Sequence, residues 1–255
     1  GVENVDLFAD PKSPLLHTLQ EVARFLVRKT FLRNLTTNHR LIREGEPVVV
    51  SVIVDNRGSQ PQQGEVVFSL APASATGSGV VFGQRLNKME RTWAENDSRP
   101  LCARTAKFTL AAETSQRIEV TFNPHLAGVD LWQLTAELRI DGQPIDQLVS
   151  GFVVEQPAIM QSAPKLRFAD NYFTLDGRPL FLFGSDTYDS IYRSASENPL
   201  TWSAELAAAR DLGMNLYENL QYNKPGHVLD DDDWRSFRAL AQLTQKHRLV
   251  FMPGI

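Results

Sequence analysis

Apolar positions recur along this chain first at helical spacing, then at strand spacing, then at the two in alternation. Between Pro14 and about Lys29, the residues Leu15, Leu19, Val22, Ala23 and Leu26 line one face of a helix. Ser13 and Pro14 supply an N-cap and a first-turn proline. This N-terminal helical segment, residues 1–30, is expected to pack on a neighbouring domain; a partner or membrane helix is the alternative.

From Phe31 the period becomes two. Trp132, Leu134, Ala136, Leu138 and Ile140 alternate with Gln133, Thr135, Glu137 and Arg139, which predicts one buried and one wet face. Ile118, Val120 and Phe122 repeat the pattern, as do Ala106, Phe108 and Leu110, and Val66, Phe68 and Leu70. Val48 to Val54 is apolar at nearly every position, as suits a central strand. Turn residues fall between these runs, at Asn56-Arg57-Gly58, Asn123-Pro124 and Asp141-Gly142. Six or seven short strands with no helix between them predict an antiparallel, immunoglobulin-like β-sandwich over residues 31–156. Gly77 to Arg104 breaks the alternation. It is expected to be a surface insertion whose Trp93 plugs the sandwich edge, or else a sugar-stacking loop.

Residues 157–165, with two prolines, resemble a domain linker. Beyond them strand and helix alternate. Tyr172–Leu175, Asp176-Gly177 and Pro179–Phe183 predict a tight hairpin, and Leu180 to Phe183, apolar on both faces, predicts a strand inside a parallel sheet. A helix carrying Trp202, Leu206 and Ala209 follows, capped by Thr201 and ended by Gly213. Next come a strand from Met214 to Glu218, a helix with Trp234, Phe237, Leu240 and Leu243, and a strand from Leu249 to Met252. This β-α-β-α-β order implies parallel strands with crossover helices. Three such strands cannot close on themselves, so residues 166–255 are expected to be a truncated (β/α)₈ barrel, its first three strands. The fold class is therefore multidomain β plus α/β.

Composition narrows the function. The chain has 255 residues, 42% hydrophobic and 22% charged, with a net charge of −4 spread along it. No basic stripe is present, which disfavours a nucleic-acid partner. No apolar run reaches the ~20 residues of a membrane span. The start, Gly1-Val2-Glu3-Asn4, has neither a signal peptide's basic segment nor an initiator Met, and so suggests an internal piece of a longer protein. The single cysteine, Cys102, excludes an internal disulfide and is expected to be a small buried apolar group. The five histidines are scattered without ligand spacing, so neither a metal nor another cofactor is expected. Asp230 to Asp233 precede a helix, where negative charge favours the positive end of the helix dipole; capping rather than Ca²⁺ binding is expected. Asn34-Leu35-Thr36 and Asn96-Asp97-Ser98 match the short N-glycosylation sequon.

The run Phe173-Thr-Leu-Asp-Gly-Arg-Pro-Leu-Phe-Leu-Phe-Gly184, followed by Leu212-Gly213-Met214-Asn215 and Lys246-His247-Arg248, resembles the clan A glycoside hydrolases. That group includes β-galactosidases, β-mannanases and endoglucanases. An aromatic-x-hydrophobic-Asp/Asn-Gly-Lys/Arg-Pro hairpin often opens their barrels, and a Gly-hydrophobic-Asn element often starts the second strand. The resemblance covers roughly Leu166 to Ile255, and a sandwich ahead of the barrel is frequent in the clan. It implies a hydrolase acting on β-linked oligo- or polysaccharide, with two catalytic glutamates at the ends of the fourth and seventh strands, beyond Ile255. The fragment is then expected to be inactive by itself, its partners being a carbohydrate substrate and the remainder of the barrel. A secreted or periplasmic location is favoured if the parent protein degrades polysaccharide. Many members carry an Arg just after the second strand; Tyr217-Glu218-Asn219 departs from that and leaves the particular family open.

Barrel enzymes place their sites at the C-terminal ends of the strands. That rule selects Ser185, Asp186, Thr187 and Tyr188, then Glu218, Asn219 and Tyr222, then Pro253 and Gly254. Asp186, Tyr188, Glu218, Asn219 and Tyr222 are the expected substrate-binding set, since carboxylates and amides bond sugar hydroxyls and tyrosine stacks on sugar rings. A loop cap at Asp186 and a buried ion pair at Glu218 are the structural alternatives. A non-catalytic glycan- or protein-binding sandwich with an α/β adaptor, using Trp93, is the alternative function. An unrelated α/β enzyme is disfavoured, because Gly184-Ser185-Asp186 is no phosphate-binding glycine motif.

Overall fold

The computed structural model describes residues 29–73, 100–126, 128–169, 171–187, 198–220 and 230–254, with single positions 19, 23 and 27 before them. Most of the expected N-terminal helix and the segment bearing Trp93 lie outside the described residues. The first half is a β-sandwich. One sheet has the order β1-β3-β6 and the other β2-β8-β7-β4-β5. The strands are β1 (Thr30–Thr37), β2 (Leu41–Ile42), β3 (Val48–Asn56), β4 (Gln62–Pro72), β5 (Cys102–Leu110), β6 (Ser115–Phe122), β7 (Leu131–Ile140) and β8 (Gln143–Val154). Neighbouring strands are antiparallel except for the short β2, which runs parallel to β8.

Period-two alternation builds the core between the sheets. Val48, Val50, Val52 and Val54 of β3 meet Val66, Phe68 and Leu70 of β4 and Trp132, Leu134, Ala136 and Leu138 of β7. β3 is central in its sheet, as its unbroken apolar run requires. At its end the buried Asp55 accepts hydrogen bonds from Arg33 and Ser115 and, at 3.3 Å, from Arg57. Asn56 closes the turn that follows, accepting from the Gly58 amide at 3.0 Å and donating to the Gln60 and Ala111 carbonyls, each at 2.9 Å. Cys102 is half-buried rather than a core residue, and that burial pushes its thiol pKa up.

The outer face of the second sheet departs from the alternation rule. Gln133, expected to be wet, is buried, and so are Val149 and Val153 on β8. The physical reason is a helix laid across that face. A Cβ on Gly151 would stand 2.7 Å from Leu200 Cγ and 2.8 Å from the Trp132 carbonyl, so only glycine allows this approach. Leu41, Leu131 and Val153 of the sandwich thus join Trp202, Leu206, Tyr217, Ala239, Leu240, Leu243 and Leu249 in a second core.

The expected linker contains a short exposed helix, α1 (Pro157–Gln161). A three-stranded antiparallel sheet follows: β9 (Leu166–Ala169), β10 (Tyr172–Leu175) and β11 (Arg178–Leu180), in the order β11-β10-β9. Asp176 and Gly177 both take positive φ, 49° and 79°, as the tight turn demands. Then come β12 (Gly184–Thr187), α2 (Pro199–Asp211), β13 (Leu216–Leu220), α3 (Asp231–Lys246) and β14 (Val250–Gly254). The strands β12-β13-β14 form one parallel sheet.

Two local expectations need correction. The apolar run Leu180 to Phe183 is not the parallel strand, which starts at Gly184. Phe181 is 84% and Phe183 51% exposed, because the helices cover only the other face of the sheet. α2 is capped by Asn198, not Thr201. The Asn198 side chain accepts from the Leu200 amide at 3.1 Å and Pro199 takes the first helical position, so the helix begins one turn earlier. The acidic run before α3 behaves as expected: Asp230 accepts from the Asp233 amide at 2.9 Å, and Asp233 reciprocates on the Asp230 amide at 3.1 Å.

Candidate functional site

The expected site residues fall at the C-terminal ends of β12 and β13. Those strands meet with Gly184 opposite Leu216, where a Cβ on Gly184 would lie 2.1 Å from the Leu216 carbonyl oxygen. Only glycine can occupy that position, and the contact pins the ladder. Two rungs later Asp186 stands opposite Glu218, and β14 brings Met252 to the same rung. Thr187, Asn219 and Pro253 form the next rung. Tyr188 and Tyr222 lie outside the described residues.

Alternation along β13 decides what the Glu218 rung can meet. Tyr217 is buried against the helices, its ring 6.5 Å from that of Phe251. Phe251 in turn packs on Phe237 of α3 at 5.3 Å. Glu218, one position on, therefore faces away from the helices, where it is half-buried beside the 40% exposed Met252. This face can offer the Glu218 carboxylate to hydroxyl groups. Among the described residues no helix is long and apolar enough to cross a membrane.

Charged contacts missed in the sequence hold α3 against the sandwich, the Lys246–Asp130 pair at 2.7 Å among them. Arg235 donates to both Glu46 oxygens, at 2.7 and 3.1 Å, to Asp231 at 2.7 Å and to the Leu41 carbonyl at 3.4 Å. Glu155 accepts from Arg43 at 3.2 Å and from Arg238. An arginine amid the apolar positions of a helix was the one available signal.

On α3's last turn, His247 is buried, with Nε2 2.9 Å from the Ser203 hydroxyl on α2 and Nδ1 without a hydrogen-bond partner among the described residues. Burial pushes its pKa down to about 4, aided by Arg210 and Lys246 and opposed by Asp130 and Asp211. An imidazole so lowered is neutral in the fold. Between the unfolded value of 6.5 and about 4, the unfolded chain takes up a proton that the folded chain refuses. Stability is thus full above pH 6.5 and falls as the pH drops through that window, by about 2 kcal/mol on reaching pH 5. Urea titrations at pH 7.5 and pH 5 check this: His247→Gln should flatten the difference, and an unchanged difference refutes the assignment.

No protein-family model and no curated protein sequence matches the chain. Among solved structures it is similar to a β-glucuronidase of Bacteroides uniformis, with 14% identity, a TM-score of 0.41 and coverage of 88% of this chain and 24% of that one. An exo-chitosanase of Amycolatopsis orientalis gives 18% identity and a TM-score of 0.37, covering 88% and 22%. A glycosyl hydrolase family 2 member from Bacteroides cellulosilyticus gives 13% and 0.39, covering 88% and 26%. The chain thus spans about a quarter of the length of each.

Proposed function

We propose that this chain is part of a glycoside hydrolase acting on β-linked oligo- or polysaccharide. An immunoglobulin-like sandwich supports the opening strands of a (β/α)₈ barrel. The observation that carries this reading is the parallel ladder β12-β13-β14, with Asp186 and Glu218 on one rung at its C-terminal end. Strand ends of this kind are where barrel enzymes bind substrate. The hairpin Phe173 to Leu180 and Gly213-Met214-Asn215 before β13 add the resemblance to clan A. The split of β1-β3-β6 from β8-β7-β4, sealed at the edge by β2 on β8, supports the immunoglobulin-like assignment.

In this reading Asp186, Tyr188, Glu218, Asn219 and Tyr222 bond and stack on sugar. The acid/base and nucleophile of a retaining mechanism, two carboxyls about 5 Å apart, belong to later strands. Calorimetric titration with cellotetraose, mannotetraose and galactotetraose tests the binding, with maltotetraose as the α-linked control. At least one β-linked sugar should bind, and Glu218→Gln should weaken it about tenfold, the loss of one charged hydrogen bond. Absence of binding to every β-linked sugar, or equal binding of maltotetraose, overturns the proposal. Chromogenic β-glycosides should not be turned over; turnover abolished by Asp186→Asn or Glu218→Gln would move the catalytic residues into this chain.

A further inference from the structure

A side chain in the parallel sheet behaves as a piece of β-ladder, as the Asn38 carboxamide does in the sandwich between the Pro47 carbonyl and the Val49 amide. Asn215 precedes β13. Its Oδ1 accepts from the Phe183 amide at 2.9 Å, and its Nδ2 donates to the Phe181 carbonyl at 2.8 Å. In a parallel ladder a residue bonds the carbonyl before its opposite number and the amide after it. The Asn215 carboxamide makes this pair of bonds around Leu182, using a side chain in place of a backbone. The Asn215 amide also donates to the Phe183 carbonyl at 2.8 Å, shared with the Leu216 amide at 3.2 Å, while the Val250 amide donates to the Asn215 carbonyl at 2.7 Å. One residue therefore ties together the approach to β12, the start of β13 and the start of β14.

This arrangement answers a specific problem. Residues 181–183 are exposed or half-buried, and Phe181 and Phe183 have no core to anchor them. Hydrophobic burial, which ordinarily specifies strand register, is weak here. The regular ladder starts only at Gly184 opposite Leu216 and is short. A slip of one rung would take Asp186 from Glu218 to a neighbour on the opposite pleat.

We propose that Asn215 is the positioning residue of the candidate site: its carboxamide sets the register of β12 on β13 and so keeps Asp186 beside Glu218. It acts through the backbone and touches no substrate. The part of this inference that concerns sugar rests on the function proposed above.

Amide hydrogen exchange, followed by NMR on the intact chain, tests it. Asn215→Ala should speed exchange at Phe183 and Leu216 at least tenfold. Asn215→Asp keeps the acceptor and should restore protection at Phe183, whereas the near-isosteric Asn215→Leu should not. Leu148→Ala, in the sandwich core, serves as a control for general loss of stability and should leave the Phe183-to-Leu216 ratio of protection unchanged. Equal protection in wild type, Asn215→Ala and Asn215→Leu overturns the proposal, as does loss of the same size in the control. If Asn215→Ala does not fold, the comparison of Asn215→Asp with wild type still decides, since only the acceptor-dependent amide should be retained. Cellotetraose, mannotetraose or galactotetraose affinity should fall with the register in Asn215→Leu. Failure of wild type to bind any of them would sink the sugar reading while leaving the exchange result to judge Asn215.

Discussion

Replacing Trp132 by alanine should cost about 4 kcal/mol of unfolding free energy, the largest single effect expected in the molecule. Trp132 is 1% exposed, and its ring is stacked on Phe152 with centroids 6.2 Å apart. Its indole Nε1 donates to the Val129 carbonyl at 3.3 Å, so its one polar group is satisfied. Truncation removes the apolar transfer energy of a large aromatic and leaves a void between two hydrogen-bonded sheets that cannot collapse to fill it. Trp132→Phe keeps most of the volume and should cost under half as much. Urea unfolding followed by circular dichroism compares the three proteins. A loss below about 1 kcal/mol for Trp132→Ala would mean that the core between the sheets is not packed around this ring.

Arg235→Ala should be second, at about 3 kcal/mol. The arginine side chain is 8% exposed and reaches Glu46 across a sequence separation of 189 residues. Removing it strips Glu46 of a bidentate partner and leaves the Leu41 carbonyl without that donor; the part-exposed position of Glu46 keeps the cost below that of a fully buried pair. Arg235→Lys should recover only part of the loss, because one ammonium cannot match the planar fork.

The same contact makes a pH prediction. The hydrogen bond from Arg235 is the chief reason that the Glu46 pKa falls from 4.5 to about 2, with the Arg43 backbone amide and both arginine charges adding to it. A carboxylate lowered in the fold stabilises above its unfolded value and loses that contribution as the pH falls. The loss therefore runs from pH 4.5 down toward 2, starting as the His247 window ends, and should shrink sharply in Arg235→Ala. Thermal midpoints at pH 5 and pH 3 read it directly. An acid slope unaltered in Arg235→Ala would assign that slope to other carboxylates.

The sequence by itself determined the features that depend on neighbours a few residues away. Alternation in β4 and β7 marked which residues meet between the sheets, since successive strand side chains point to opposite faces, and the unbroken apolar run of β3 marked a central strand. Asp176-Gly177 marked its turn, because positive φ is a local steric property. Asp230 to Asp233 marked the start of α3, because capping and the helix dipole act within the first turn. The position of Asp186 and Glu218 at the ends of neighbouring strands followed from the order of elements alone.

Tertiary structure decided everything that required a surface to be covered by something remote. Nothing near Gln133 foretells its burial, which is due to α2 arriving some seventy residues later along the chain. Gly151 looks like a weak point in a strand until Leu200 is seen to rest on it. Leu180 to Phe183 have a buried strand's composition, yet the ladder begins only at Gly184, where β12 can approach Leu216. Asn215 and Arg235 act on residues brought to them by folding. Short-range sterics and periodicity are written in consecutive residues, whereas register, helix docking and ion-pair choice are set by which distant surfaces exclude water together.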